Sequence, residues 1–329
     1  MRDAILAILL NNTDRFVSGQ DMSRSLGITR AAVWKYIKLF ENEGYVIESS
    51  TKKGYRLKLI PDIMDRVVLT NGLKTSIIGR NMECYQNLAS TNARAKEMAL
   101  ADAPEGTVII AEEQSRGRGR LGRNWVSPAG KGVWMSVILK PRLSPEKAPR
   151  ITIMTAVALV RALKQAAELE TGIKWPNDIV CNGKKLCGIL TEIHAQPDII
   201  NYAVVGIGIN VNLSVRDFPE DIRNIATSIK IEKGREFRRS DILQAVLENM
   251  EDMYLNYFDD DNFERLLQEY RDYSVVLGKK ISVAGPTGEF SGKALDFGED
   301  GSLLIQGDGG KVEKLWAGDV SIRGEKGYV

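Results

Sequence analysis

Eight residues set the terms for the rest of the chain: Arg116-Gly117-Arg118-Gly119-Arg120-Leu121-Gly122-Arg123. Four guanidiniums, always charged, alternate with three glycines that let a backbone turn tightly and bring its N–H groups near an anion. Strand-like runs stand on both sides, 107–114 before and 133–139 after. A short segment held at each end reads as a loop of a folded sheet, not as a disordered Arg-Gly coat for nucleic acid. Gly117, Gly119 and Gly122 match the dinucleotide fingerprint, but that fingerprint needs a helix to open directly after it. Asn124-Trp125-Val126-Ser127-Pro128 and then a strand follow instead. A protein-kinase reading, prompted by Asp296-Phe297-Gly298, needs a His-Arg-Asp loop. The only histidine, His194, precedes Ala195-Gln196. The loop is read as a grip for phosphate or carboxylate.

At 329 residues the chain has material for two or three domains, and 43% apolar content is enough to give them cores. The net charge of +2 is unevenly spread: residues 1–60 hold ten Lys and Arg against six Asp and Glu. The basic excess therefore sits at the N-terminus. The apolar run at 4–10 ends in Asn11-Asn12-Thr13-Asp14 without a cleavage signal, and no run is long enough to span a membrane. Three cysteines, an odd number, suit a reducing compartment, so the cytoplasm is expected. Cys181 and Cys187 lack the second ligand pair of a zinc site and are read as plain thiols.

Residues 1–60 read as three helices and a hairpin. Ser18 and Thr29 are placed as N-caps, and Leu26-Gly27-Ile28 makes a sharp turn. Val33, Ile37 and Phe40 recur at helical spacing and must face inward, which leaves Arg30, Trp34, Lys35 and Lys38 on the outer face. Lys52 and Lys53 lie in a polar hairpin tip. Helix, turn, basic helix and basic hairpin form a winged helix-turn-helix, whose recognition helix enters a major groove while the wing reaches phosphate. Residues 1–62 are assigned to this DNA-binding domain, with Pro61-Asp62 opening a linker.

Residues 63–273 read as a mixed α/β domain. Ser90-Thr91-Asn92 precedes a helix at 93–100, with Ser90 placed as its cap. A long apolar helix is expected over 150–168 and helical structure over 240–271. Lys174-Trp175-Pro176-Asn177-Asp178 offers a cation and oxygen ligands suited to a phosphate with a divalent ion. Asn182-Gly183 signals a hairpin turn. Lys185 sits in an apolar strand, either snorkelling or aimed at an anion. Glycines in Gly206-Ile207-Gly208-Ile209-Asn210 mark close approach by something. From 274 to 329, short strands with glycine turns read as a small β-barrel, including 281–283, 302–305 and 320–322.

Taken together, Ser90-Thr91-Asn92, Gln114, the 116–123 loop with Trp125, Lys174-Trp175-Pro176-Asn177-Asp178, the segment 185–190 and the segment 206–210 resemble the biotin–protein ligases. With the winged helix in front, the chain looks like the bifunctional bacterial form, ligase and biotin-operon repressor. The resemblance implies an α+β protein with a class II synthetase-like catalytic domain and an SH3-like C-terminal barrel. It implies biotin–[acetyl-CoA-carboxylase] ligase activity: ATP and biotin give biotinyl-5′-AMP, and biotin then passes to a lysine of a carrier protein.

By match, Ser90, Thr91, Asn92, Gln114 and Gly117 would meet biotin, as would Gly119, with Arg118 and Arg120 on carboxylate and phosphate and Lys185 on the developing adenylate. The catalytic set would be Arg118, Arg120 and Lys185. Arg123, Trp125, Lys174, Asn177 and Asn210 would serve the nucleotide, and Asp178 a Mg²⁺ ion. Cys187 stands where relatives usually carry Ala, and Leu121 interrupts a basic run found in some of them. The same resemblance implies operator DNA as a partner and a homodimer induced by the adenylate. The DNA-facing residues would be Ser18, Thr29, Arg30, Trp34, Lys35, Lys38, Lys52 and Lys53.

Overall fold

The computed structural model describes residues 1–258, 262–285, 288–307, 309–315 and 321–324. Their contacts divide the chain into two compact units, Met1–Leu73 and Lys74–Val329. In the first, α1 (Arg2–Leu10), α2 (Gly19–Leu26) and α3 (Arg30–Asn42) are followed by the hairpin β1 (Val46–Ser50) and β2 (Gly54–Leu59). The caps fall where the sequence places them. Ser18 Oγ accepts from the N–H groups of Gln20 and Asp21, and Thr29 Oγ1 from that of Ala32 at 3.1 Å. Gly27, at φ +64°, closes α2. Val33, Ile37 and Phe40 join Ile5, Leu6, Leu9, Met22 and Leu57 in one core. Gly54 cannot be replaced lightly, because a Cβ there would lie 2.1 Å from the Val17 carbonyl oxygen.

This unit runs past the linker expected at 61–62. Helix α4 (Arg66–Thr70) buries Val67 and Val68 in the same core. Asp65 caps α4 through Oδ1, and its Oδ2 lies 2.7 Å from Arg2, which also binds Glu43 at 2.6 Å. The apolar period that sequence reading follows says nothing about such long-range ion pairs, so the boundary moves to Leu73.

The second unit is built on a seven-stranded sheet. Chain order gives β3 (Met82–Leu88), α5 (Thr91–Leu100), β4 (Val108–Gln114), β5 (Gly132–Leu139), α6 (Pro149–Ala167), β6 (Gly172–Lys174), β7 (Asp178–Cys181), β8 (Lys184–Ala195) and β9 (Ile200–Asn210). The strands lie in the order β3-β4-β5-β9-β8-β7-β6, with only β3 and β4 parallel. Every residue of β5 is buried, as expected for a central strand covered on both faces. Asn182 and Gly183, both at positive φ, turn β7 into β8. The helical stretch read over 240–271 resolves into two helices. After the short α7 (Ile229–Lys233) come α8 (Arg239–Asn256) and α9 (Phe263–Asp272), and α6 packs against both.

The C-terminal strands β10 (Lys280–Gly285), β11 (Gly288–Phe297), β12 (Leu303–Gly307), β13 (Val312–Leu315) and β14 (Ser321–Gly324) form an antiparallel sheet in the order β13-β12-β11-β10-β14. Val320, read as opening the last strand, lies outside the described residues. The kinase-like triplet is structural: Phe297 packs edge-on to Tyr270 at 4.9 Å and Asp296 accepts from Arg271 at 2.8 Å.

Two polar fastenings escaped the sequence reading. Arg239 of α8 is buried against Glu112 of β4, Nη1 to Oε2 at 2.7 Å, and removing either partner should cost about 3–5 kcal/mol. Glu251 of α8 receives the N–H groups of Ser76, Ile77 and Ile78 and the Ser76 hydroxyl. Burial alone would raise its carboxyl, but those donors outweigh it and hold it below the usual range. Its stabilisation is therefore full above the unfolded carboxyl's value of about 4.3 and is lost as pH falls through its lower folded value. Glu251→Gln should lose about 2 kcal/mol at pH 7, and less as the medium turns acidic. Urea titrations at several pH values check this.

Candidate active site

Residues 114–127 form a small hairpin standing on the sheet. Gln114 bridges to Ser127 and Arg118 to Asn124, while Trp125 donates to the Gly117 carbonyl at 2.9 Å and Gly119 to that of Arg123 at 2.7 Å. Gly117 is required at the base, because a Cβ there would meet the Trp125 carbonyl oxygen at 2.3 Å. At the tip, Leu121 and Gly122 take φ +55° and +73°. Leu121 pays a backbone penalty there of about 1–2 kcal/mol that glycine would not.

Beneath the hairpin is a cavity of about 230 Å³. Its lining holds five cationic side chains, Arg118, Arg120, Arg123, Lys174 and Lys185, and among the described residues one carboxylate, Asp178. Arg120 Nη1 reaches Asn177 Oδ1 at 3.0 Å, so the hairpin touches the Lys174–Asp178 motif directly. Asn177 is held by Ile189 on both its backbone and its side chain. Lys185 Nζ lies 2.6 Å from Asp178 Oδ1 and 5.3 Å from the Trp125 ring centre. The Lys185 N–H donates to the Ile225 carbonyl, the Thr227 N–H to the Lys185 carbonyl, and the Asn210 side-chain Nδ2 to the Thr227 carbonyl, which fixes segment 225–227 beside it.

At the other end the lining is hydrogen-bonding and uncharged. Gln114 Oε1 accepts from the Thr91 N–H at 2.8 Å and from its hydroxyl at 3.1 Å, and Gln114 Nε2 donates to Ser127 Oγ at 3.0 Å. Ser90 adjoins them, but its hydroxyl does not cap α5; Gln114 takes the first N–H of that helix instead. Asn92 lines the cavity beside them. Its amide is spent inside the protein, Nδ2 on the Leu190 carbonyl at 3.2 Å and Glu192 at 2.8 Å, Oδ1 on Ser136 at 2.6 Å. Burial opposes the charge on Glu192, but Lys96 and Asn92, with the field of Arg118, hold its carboxyl below the usual value.

The glycines of β8 and β9 have specific occupants. A Cβ on Gly206 would lie 2.1 Å from Asn92 Oδ1, and one on Gly208 would lie 2.3 Å from Trp125 Nε1. That indole N–H is buried and has no partner among the described residues, which is what a donor reserved for a ligand looks like. Trp175, by contrast, is core: its Nε1 donates to the Gly301 carbonyl at 2.9 Å.

Sequence reading missed Ser127, Ser136, Glu192 and the apolar lining from Phe218, Ile222, Ile225 and Ala226. Isolated serines carry no motif, and the 218–226 segment is irregular and without periodicity. The three cysteines are free, and Cys181 is pushed up to about 11 by burial. No group of three metal-binding side chains occurs among the described residues. A lone Asp178 suits a Mg²⁺ ion held mostly by nucleotide phosphates rather than one caged by protein.

Comparison with known proteins identifies the family. Residues 84–210 match the biotin/lipoate A/B protein ligase family, 2–56 an HTH domain, and 276–323 the biotin protein ligase C-terminal domain. The chain is 38% identical to the bifunctional ligase/repressor BirA of Bacillus subtilis over 98% of both chains. It is 25% identical to that of Escherichia coli over 97% of this chain and 96% of the other. Among solved structures, the biotin protein ligase from Aquifex aeolicus in complex with biotin and ATP is similar at TM-score 0.65 and 29% identity, over 75% of this chain and all of that one. The fold and the site define a protein ligase with a DNA-binding head. The chain belongs to the bifunctional biotin ligase/repressor family.

Gly208→Ala should push Trp125 off the sheet and close part of the cavity. A fall of at least tenfold in affinity for nucleotide, with the protein still folded by circular dichroism, is the expected outcome of titration calorimetry.

Proposed function

We propose that this protein joins biotin to AMP and passes biotin on to a carrier lysine, and that its N-terminal unit represses biotin genes. One observation supports this most: among the described residues, five cations and a single carboxylate line a cavity whose far end is uncharged. Biotin has a matching division, a neutral ureido head and an anionic tail. The tail's carboxylate oxygen attacks the α-phosphorus of ATP, a bond to pyrophosphate breaks, and biotinyl-5′-AMP forms. A carrier lysine amine then attacks the activated carbonyl and AMP leaves.

No side chain need act as a nucleophile, because the substrate supplies one. The protein's work is to bring two anions together and neutralise the charge that grows between them. Arg118 and Arg120 would face carboxylate and phosphate. Lys185 would leave Asp178 for the adenylate, while Lys174, Asn177 and Asp178 serve pyrophosphate with Mg²⁺. Arg123, Asn210 and the unpartnered N–H of Trp125 would meet the nucleotide. Thr91 gives its hydroxyl proton to a protein acceptor, Gln114 or Ser136, so it offers the ligand a lone pair. Gln114 Nε2 keeps a second N–H to give. An acceptor beside a donor suits a cyclic urea, whose N–H and C=O are adjacent. Ser90 and the backbone at Gly117 and Gly119 would complete this end, with Asn92 supporting it from behind.

In the N-terminal unit, Arg30, Trp34, Lys35 and Lys38 share the exposed face of α3, and Lys52 and Lys53 are exposed at the wing tip. Ser18 and Thr29, although they cap helices, keep hydroxyl protons for phosphate. Binding should weaken steeply with salt. One winged helix reads one half-site, so the repressor would act as a homodimer assembled by the adenylate. No described helix is long and apolar enough to cross a membrane.

ATP-dependent transfer of biotin, but not lipoate, to a carrier fragment is the expected result of a gel-based labelling assay; no transfer would refute the ligase reading. Arg120→Gly should still form the adenylate but release it, so that lysines of unrelated proteins become labelled. Retention and carrier selectivity equal to the parent's would show that the hairpin does not hold the intermediate.

A further inference from the structure

Ser136 lies at the centre of β5, fully buried and outside the cavity lining. Its hydroxyl is 2.8 Å from Thr91 Oγ1 and 2.6 Å from Asn92 Oδ1. A hydroxyl has one proton, so two arrangements are open. Ser136 donates to Thr91, which donates to Gln114; or Thr91 donates to Ser136, which donates to Asn92. Both keep the Thr91 proton away from the cavity. The second is the one that puts a proton in the 2.6 Å contact with Asn92 Oδ1, which can only accept. Gln114, on the other side of Thr91, is linked through Ser127 to the Trp125 carbonyl at the foot of the hairpin.

The surroundings of Ser136 are arranged for this contact. Gly206 stands opposite it on β9, and the space a side chain would fill there is taken by the Asn92 amide. Asn92 is held from its other side by Glu192, which Lys96 binds at 2.8 Å.

We infer that Ser136 is a positioning residue for biotin: through Thr91 and Asn92 it sets the hydrogen-bond polarity of the uncharged end of the cavity, so that this end selects a ligand with ring N–H donors. The inference rests on the ligase reading above. Removing the Ser136 hydroxyl leaves Asn92 Oδ1 buried without its donor and frees Thr91 to turn, and a misoriented acceptor discriminates poorly. The nucleotide end is untouched by the change.

The test is biotin-dependent ATP–pyrophosphate exchange with the full chain. Ser136→Ala should raise KM for biotin about tenfold, leave kcat within about twofold and leave KM for ATP unchanged. Ser136→Thr, which keeps the hydroxyl, should recover most of the loss. The ratio of KM for a biotin analogue methylated on its ureido nitrogens to KM for biotin should shrink in Ser136→Ala. A wild type that exchanges with biotin, beside a Ser136→Ala variant that melts earlier but keeps its biotin KM, would overturn this inference alone. Equal rises in KM for biotin and ATP would do the same, because they would mark general loosening. A wild type inactive with biotin would overturn the ligase reading and this inference with it.

Discussion

Like charges gathered around one cavity repel each other, and everything at this site follows from how that repulsion is contained. Among the described residues, five cations share the lining with one carboxylate. The arrangement is tolerable before ligand arrives because Asp178 lies on Lys185, Asn177 accepts from Arg120, and Arg118 and Arg123 reach solvent from the hairpin. None of these partners matches two anions in strength. A carboxylate and a phosphate entering together would relieve the repulsion that these contacts only partly offset. On the proposed reading, the cavity favours the pair of reactants over either alone.

Such containment needs a rigid base. The sheet supplies it through strands buried along their length and through glycines cleared for particular neighbours. Gly206 makes room for Asn92, Gly208 for Trp125, and Gly117 for the Trp125 carbonyl. The hairpin is thus fastened to the uncharged end of the cavity by Gln114 and Thr91, and to the charged end by Arg120 and Asn177. One short element touches both ends of the cavity.

Much of this was legible in the chain. Alternating Arg and Gly between two strands already implied an anion grip, and helix periodicity with capping residues outlined the winged helix. Those signals are local; the structure keeps the winged helix and sets Arg118, Arg120 and Arg123 on one cavity. What sequence reading could not supply was spatial. Ser136 and Glu192 become meaningful only when β5 and β8 bring them to Asn92. The Arg2–Asp65 pair joins residues far apart in sequence and moves a boundary. Asn92 matched a binding motif by type, yet its amide is committed to the protein, because a motif records identity and not which way a side chain is already bonded.

A structure with a hydrolysis-resistant biotinyl-adenylate analogue bears on the central claim most directly. The account places the phosphate within hydrogen-bond distance of Arg120 and Lys185, with Lys185 drawn off Asp178 and the ring nitrogens against Thr91. An analogue lodged elsewhere, with the hairpin turned to solvent and Lys185 still on Asp178, would contradict it.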